Sequence, residues 1–123
     1  MSISRAEVGR RGEAEAAAYL IAQGWTVHVR NWRCPAGEID LIGSPARSGL
    51  LVFVEVRSRR AGGRFGTAAE SIDGRKQQRV RTAAQWYLKR HGGGEAGVRC
   101  DVITVAFDRQ LRVAGVSHLE GAF

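Results

Sequence analysis

The spacing of apolar and polar positions changes several times along the chain, and each change marks an element. Ala16, Ala17, Leu20 and Ile21 recur at helical spacing. Upstream, Ser4-Arg5-Ala6-Glu7 has the form of a capping box, with Ser4 accepting from the first turn and Glu7 reaching back. Gly24 supplies a stop, so the pattern predicts a helix from Ser4 to about Gln23. Period two then takes over, with Trp25, Val27 and Val29 on one face of a strand from Trp25 to Arg30. After a turn at Pro35-Ala36-Gly37, Glu38 to Gly43 and Leu50 to Ser58 read as two further strands around a hairpin loop, Ser44 to Gly49. Arg60 to Gly66 reads as a flexible basic loop. Val80, Ala83, Ala84, Tyr87 and Leu88 restore the helical period and predict a second helix over Asp73 to Arg90, ended by His91-Gly92-Gly93-Gly94. Val98 to Phe107 and Leu111 to Val116 close the chain as a hairpin around Asp108-Arg109-Gln110. The predicted order is αβββαββ without repeat or linker, which packs naturally as one α/β domain with a central mixed sheet.

Length agrees: 123 residues leave room for a single domain over residues 1–123. Cys34 and Cys100 lie far apart and form no CxxC pair, which argues against a disulfide scaffold or a zinc finger. Met1 to Leu20 has no apolar signal-peptide core, and no apolar run approaches the ~20 residues of a membrane span. The expectation is a cytoplasmic protein without membrane contact.

The net charge of +7 matters for where it sits. Residues 1–56 carry six arginines against six acids and sum to zero. Residues 57–90 carry ten basic residues against Glu70 and Asp73, for +8. The last third sums to −1. So concentrated a positive field favours a polyanion, and nucleic acid is the commonest. An arginine-rich composition explains Arg over Lys, but not the clustering. Arg59, Arg60, Arg64, Arg75, Arg79 and Arg81 are the candidate nucleic-acid contacts.

Three carboxylates stand where apolar residues are expected. Glu13 lies on the core-facing side of the first helix, where a carboxylate is costly unless it is paired or binds a cation. Period two places Glu38, Asp40 and Ile42 on one face of their strand, and Leu51, Phe53, Glu55 and Arg57 on one face of the next. If the loop closes symmetrically, Asp40 falls opposite Glu55, and the two charges repel inside an apolar setting. A hard divalent cation removes that conflict, since Mg²⁺ takes one or two carboxylates together with waters and phosphate oxygens. The plainer alternative is salt bridges from Asp40 and Glu55 to Arg33, Arg57 or Arg59.

Gly37-Glu38-Ile39-Asp40-Leu41-Ile42, a short loop, then Val52-Phe53-Val54-Glu55-Val56-Arg57 resembles the signature of PD-(D/E)XK nucleases. More closely, the chain resembles the YraN-like family, small uncharacterised bacterial proteins related to archaeal Holliday-junction resolvases. The resemblance extends over Gly9 to Leu20 with Glu13, Arg30-Asn31-Trp32-Arg33, Phe65-Gly66, Ile72 to Leu88 with Lys76, and Asp101-Val102-Ile103. It implies a restriction-endonuclease-like αβββαβ core with a central mixed sheet flanked by helices. It also implies Asp40 and Glu55 as metal ligands and Glu13 as an outer acidic partner.

The superfamily's third position is usually lysine, and here it is Arg57. Arginine stays protonated and cannot act as a general base, but it can stabilise charge developing on a phosphate. Lys76, at the start of the second helix, can supply the missing ammonium. The expected function is Mg²⁺- or Mn²⁺-dependent hydrolysis of phosphodiesters in structured or branched DNA, with catalytic residues Asp40, Glu55, Arg57, Glu13 and Lys76. The alternative is a non-catalytic nucleic-acid-binding or scaffolding module whose site has decayed at Arg57. A homodimer stays open.

Other signals carry less. His91-Gly92-Gly93-Gly94 has no GxSxG partner and reads as a helix cap. His28, His91 and His118 read as surface or capping residues, and Trp25, Trp32 and Trp86 as core. Phe65 is a candidate for stacking on an unpaired base. Asp101, in an apolar strand, is expected to pair with Arg99 or with a basic residue of the second helix.

Overall fold

Ser4 caps the first helix as the sequence requires, its hydroxyl accepting from the Glu7 N–H at 3.1 Å. The reciprocal half of the capping box is absent, because the Glu7 carboxylate is taken by Arg10 at 2.6 Å and Arg11 at 3.4 Å. The computed structural model describes residues 3–61 and 72–123. Helix α1 spans Arg5–Ala22 and ends where Gly24 adopts a φ of 89°, a left-handed turn that glycine enters without strain. Strands β1 (Thr26–Cys34), β2 (Gly37–Ser44) and β3 (Leu51–Arg60) follow, then α2 (Gly74–His91), β4 (Val98–Phe107) and β5 (Val113–Leu119). The Asp73 carboxylate caps α2 by accepting from the Lys76 N–H at 2.8 Å.

The strands form one mixed sheet in the order β1-β2-β3-β4-β5. β3 and β4 run parallel, as the long crossover through α2 demands. On one face, Ala16, Ala17 and Leu20 of α1 pack on Leu41, Val52, Val54, Ile103 and Val105. On the other, Ala83, Ala84 and Tyr87 of α2 pack on Ile39, Ile42, Leu51, Phe53 and Cys100. This is the restriction-endonuclease-like core, a mixed sheet flanked by two helices, with β5 added at the edge.

Three boundaries depart from the sequence pattern. Strand β1 continues to Cys34, past the point where alternation stops, because Asn31 interrupts it with a φ of 53°. Strand β3 continues through Arg59 and Arg60, whose partners on β4 are Ala106 and Phe107. These two arginines therefore belong to a strand and not to a loop, while Arg64 and Phe65 lie outside the described residues. Strand β5 begins at Val113 and not Leu111, since Leu111 turns the chain with a φ of 63°.

Helix α1 approaches β3 closely at Gly12, where an added Cβ would lie 1.9 Å from Ser58 Oγ and 3.2 Å from Ser58 Cβ. Gly12→Ala should therefore destabilise by about 1–2 kcal/mol despite its better helix propensity, because overpacking outweighs that gain. Denaturant unfolding checks this. Adding Ser58→Ala to the variant should recover most of the loss, and no recovery would place the cause elsewhere.

Candidate active site

β2 and β3 are paired from Gly43↔Val52 to Leu41↔Val54 and then part. Asp40 and Glu55 stand one step beyond that last pair, in the register the sequence implies, at the fork between the strands. The main-chain ladder is replaced there by a side chain: the Val56 N–H donates to Asp40 Oδ2 at 2.8 Å. The phase of β2 also changes at this point. Ile39 packs on the α2 side while Leu41, two residues on, packs on the α1 side. Asn31 lies in β1 between Arg30↔Leu41 and Trp32↔Ile39, the gap that faces Asp40. The left-handed turn at Asn31 and the change of phase at Asp40 thus form one local deformation, and it aims the Asp40 carboxylate across the fork.

Glu55 is buried, and its Oε1 accepts from Lys76 Nζ at 2.9 Å. Among the described residues no arginine takes either carboxylate, so the pairs with Arg33, Arg57 or Arg59 do not form: Glu55 is salt-bridged to Lys76, and Arg33 pairs at the surface with Glu38 at 3.8 Å. Nor, among the described residues, does a carboxylate lie within ion-pair distance of Arg57. Burial pushes the Asp40 carboxyl up to about 8, aided by the neighbouring Glu55 charge and resisted by the Val56 N–H. Glu13, half-buried on α1, also titrates above the usual carboxylate range, through burial first and then the charges of Glu38 and Glu55. With its amide nitrogen turned toward them, Asn31 donates to both Glu13 and Glu38.

Among the described residues no three His, Cys, Asp or Glu side chains converge into a preformed cation cage. Glu13 bears on Asp40 and Glu55 through its charge. The donor set nevertheless suits a hard divalent ion. Asp40 Oδ1 and Glu55 Oε2 are not engaged by Val56 or Lys76, and two carboxyl groups held this close, whose second charge is costly, gain from a cation that takes the place of a proton.

Two clefts meet at Glu13. One, of about 540 Å³, is lined by Arg5, Val8, Gly9 and Glu13 of α1 and by residues 56–60 of β3, so Arg57, Arg59 and Arg60 all reach it. The other, of about 220 Å³, is lined by Arg10, Glu13, Ala14, Arg30, Asn31 and Leu41. Arg5, Arg10 and Arg30 give no signal in the sequence because their segment is neutral in sum, and Arg10 is itself paired with Glu7 at 2.6 Å. Asn31 gives only a faint one, a break in the alternation of β1.

The cations of α2 divide between two faces. Arg75 and Arg79 share an outer groove with Gln78 and Thr82. Arg81 instead sits over the Phe123 ring, 5.6 Å from its centroid. Of the histidines, His28 is exposed and bonded to Ser44, and His91 is exposed while stacked on Tyr87. His118 departs from its surface assignment: its side chain is 7% exposed and bonds Asp101. Trp86 departs from its core assignment, at 37% exposure. Tyr87 fills the core position next to it.

A model of the family described as "Uncharacterised protein family UPF0102" matches residues 12–105. A UPF0102 protein of Moorella thermoacetica is 46% identical over 123 residues, covering 100% of each chain. Another, of Pelotomaculum thermopropionicum, is 46% identical over the same length and coverage. A third, of Mycolicibacterium vanbaalenii, is 42% identical over 118 residues, 96% of this chain and 94% of its own. None of these descriptions states an activity.

Proposed function

The chain belongs to the uncharacterised protein family UPF0102, the YraN-like family of its sequence resemblance, and on that footing we propose that it is a metal-dependent nuclease acting on structured or branched DNA. The observation that carries the reading is the fork itself: two carboxyl groups on adjacent strands, Glu55 buried and Asp40 half-buried, facing one another, with an ammonium 2.9 Å from one of them. A plain structural role does not explain it, because holding the two carboxyls together costs stability as the second one ionises. Asp40 and Glu55 would hold Mg²⁺ or Mn²⁺, which when bound supplies Lewis-acid charge at a phosphate.

The chain's own residues account for the rest. Lys76 orients the Glu55 carboxylate through the 2.9 Å contact, and its ammonium can take the part that the nuclease signature gives to lysine. Arg57 offers a guanidinium to the phosphate without exchanging its proton. Arg5, Arg59 and Arg60 line the adjoining cleft with the spread of positive charge that a phosphate backbone requires. Glu13 raises the negative field that attracts the cation.

The test is a cleavage screen with Mg²⁺ or Mn²⁺ over duplex, flap, four-way-junction and single-stranded DNA. Wild type should cut at least one of them. Lys76→Ala should lower the rate by roughly a hundredfold or more, as expected for loss of one preorganised charge. Arg57→Lys should change it only modestly. A wild-type protein inert on all four but active as Arg57→Lys would favour the rival reading, a binding module decayed at that position.

A further inference from the structure

α2 carries six cations, Arg75, Lys76, Arg79, Arg81, Lys89 and Arg90, and no acid in its 18 residues. Arg75 stands in the first turn, where the helix dipole disfavours a cation, and no carboxylate among the described residues pairs with it. Arg75, Arg79, Thr82, Trp86 and Lys89 follow one another at spacings of four, three, four and three, so they form a single outward stripe. Two hollows lie along it and share Thr82: one of about 370 Å³ at Arg75 and Arg79, and one of about 130 Å³ between Thr82, Gln85, Trp86 and Lys89.

Trp86 is the unusual member. Trp32 packs edge-on against Tyr87, with centroids 5.4 Å apart, and Trp25 packs against His118 at 5.6 Å. Trp86 has no aromatic partner among the described residues and turns its ring outward between a cation, an amide and a hydroxyl. An apolar protein partner would bury it among apolar neighbours. Here its neighbours are groups that contact phosphates and base edges.

We propose that this stripe binds an unpaired stretch of DNA, with a base stacked on Trp86 and the backbone held by Arg75, Arg79 and Lys89. The proposal rests on the nucleic-acid part of the function proposed above, and not on hydrolysis. Lys76 marks the door of the carboxylate site, and at 1.5 Å per residue Trp86 lies about 15 Å along the helix from it. That span corresponds to about four or five stacked nucleotides at 3.4 Å each. A strand entering the site thus meets Trp86 a few nucleotides away, and the substrate class narrows to DNA with a single-stranded segment next to the cut.

Binding in EDTA tests this without any cleavage. Fluorescence anisotropy would compare a blunt duplex with the same duplex carrying a single-stranded tail. Wild type should prefer the tailed form, with tryptophan quenching on binding. Trp86→Ala should weaken tailed binding by roughly ten- to a hundredfold, leave blunt binding unchanged, and keep the wild-type melting temperature. Trp86→Phe should restore most of the preference. Arg75→Ala with Arg79→Ala should weaken both forms and flatten the salt dependence. If Trp86→Ala binds tailed and blunt DNA as wild type does, the stacking proposal fails alone. If it instead changes sedimentation, the surface belongs to a second copy and the proposal fails. If wild type binds neither DNA, the nucleic-acid reading fails with it.

Discussion

Asp40→Asn should leave the protein more stable and unable to bind Mn²⁺. The amide oxygen can still accept from the Val56 N–H, so the fork keeps its shape. The variant loses the charge that Glu55 opposes. Because Asp40 is raised to about 8, the folded state binds more protons than the unfolded chain between roughly pH 4 and 8. Wild-type stability should therefore fall as pH rises through that window, and Glu13, raised for related reasons, adds with the same sign. An amide has no proton to lose here, so the variant should gain about 2–4 kcal/mol near neutral pH and show a flatter profile. Thermal melts from pH 5 to 9, with and without Mn²⁺, check both halves. In wild type the cation should raise the melting temperature most at the alkaline end, where it replaces a proton. A wild-type profile that rises over this window, or equal Mn²⁺ stabilisation of the variant, would overturn the metal assignment.

The opposite outcome is expected at Asp101. Its side chain is 0% exposed, yet four donors meet it: Arg99 at 2.8 and 2.9 Å, His118 Nε2 at 2.7 Å and the Gly121 N–H at 2.9 Å. Burial alone would raise its pKa; the bonds from His118, Arg99 and Gly121 outweigh burial and hold it below the usual carboxylate range. Its contribution is thus present above about pH 4 and lost in acid. Through it, β4 is tied to the end of β5 and to the residues beyond, and His118 passes the contact on to the Tyr19 hydroxyl of α1 at 3.3 Å. Asp101→Ala strands all these donors and should cost about 3–5 kcal/mol, a large part of the 5–15 kcal/mol typical of a domain. The melting temperature should drop by roughly 10–20 °C. His118→Ala should cost less, and the double variant should cost less than the sum of the two. A loss under about 1 kcal/mol at Asp101 would mean that the network is idle.

Both helices, the cap at Ser4, the apolar stripe of α2 and the opposition of Asp40 to Glu55 were legible in the sequence. Each depends on residues within a turn of one another, or on a hairpin whose short loop sets the register. The same locality explains what was missed. Asn31 turns β1 because a second strand and α1 both meet it there, so its segment does not alternate. The charge of Arg5, Arg10 and Arg30 was hidden in a neutral sum, since net charge discards direction. His118 lies 17 residues from Asp101 and 99 from Tyr19, and only the β4–β5 register and the seat of α1 join them. Trp86 was read as core from its residue type alone, whereas the helical period that seats Tyr87 beside Ala83 and Ala84 turns Trp86 outward. Lys76 meets Glu55 because the crossover docks the first turn of α2 over the fork. Side chains that are close in sequence obey the geometry of their own element, whereas those brought together by the sheet obey packing, which is decided only when the whole core closes.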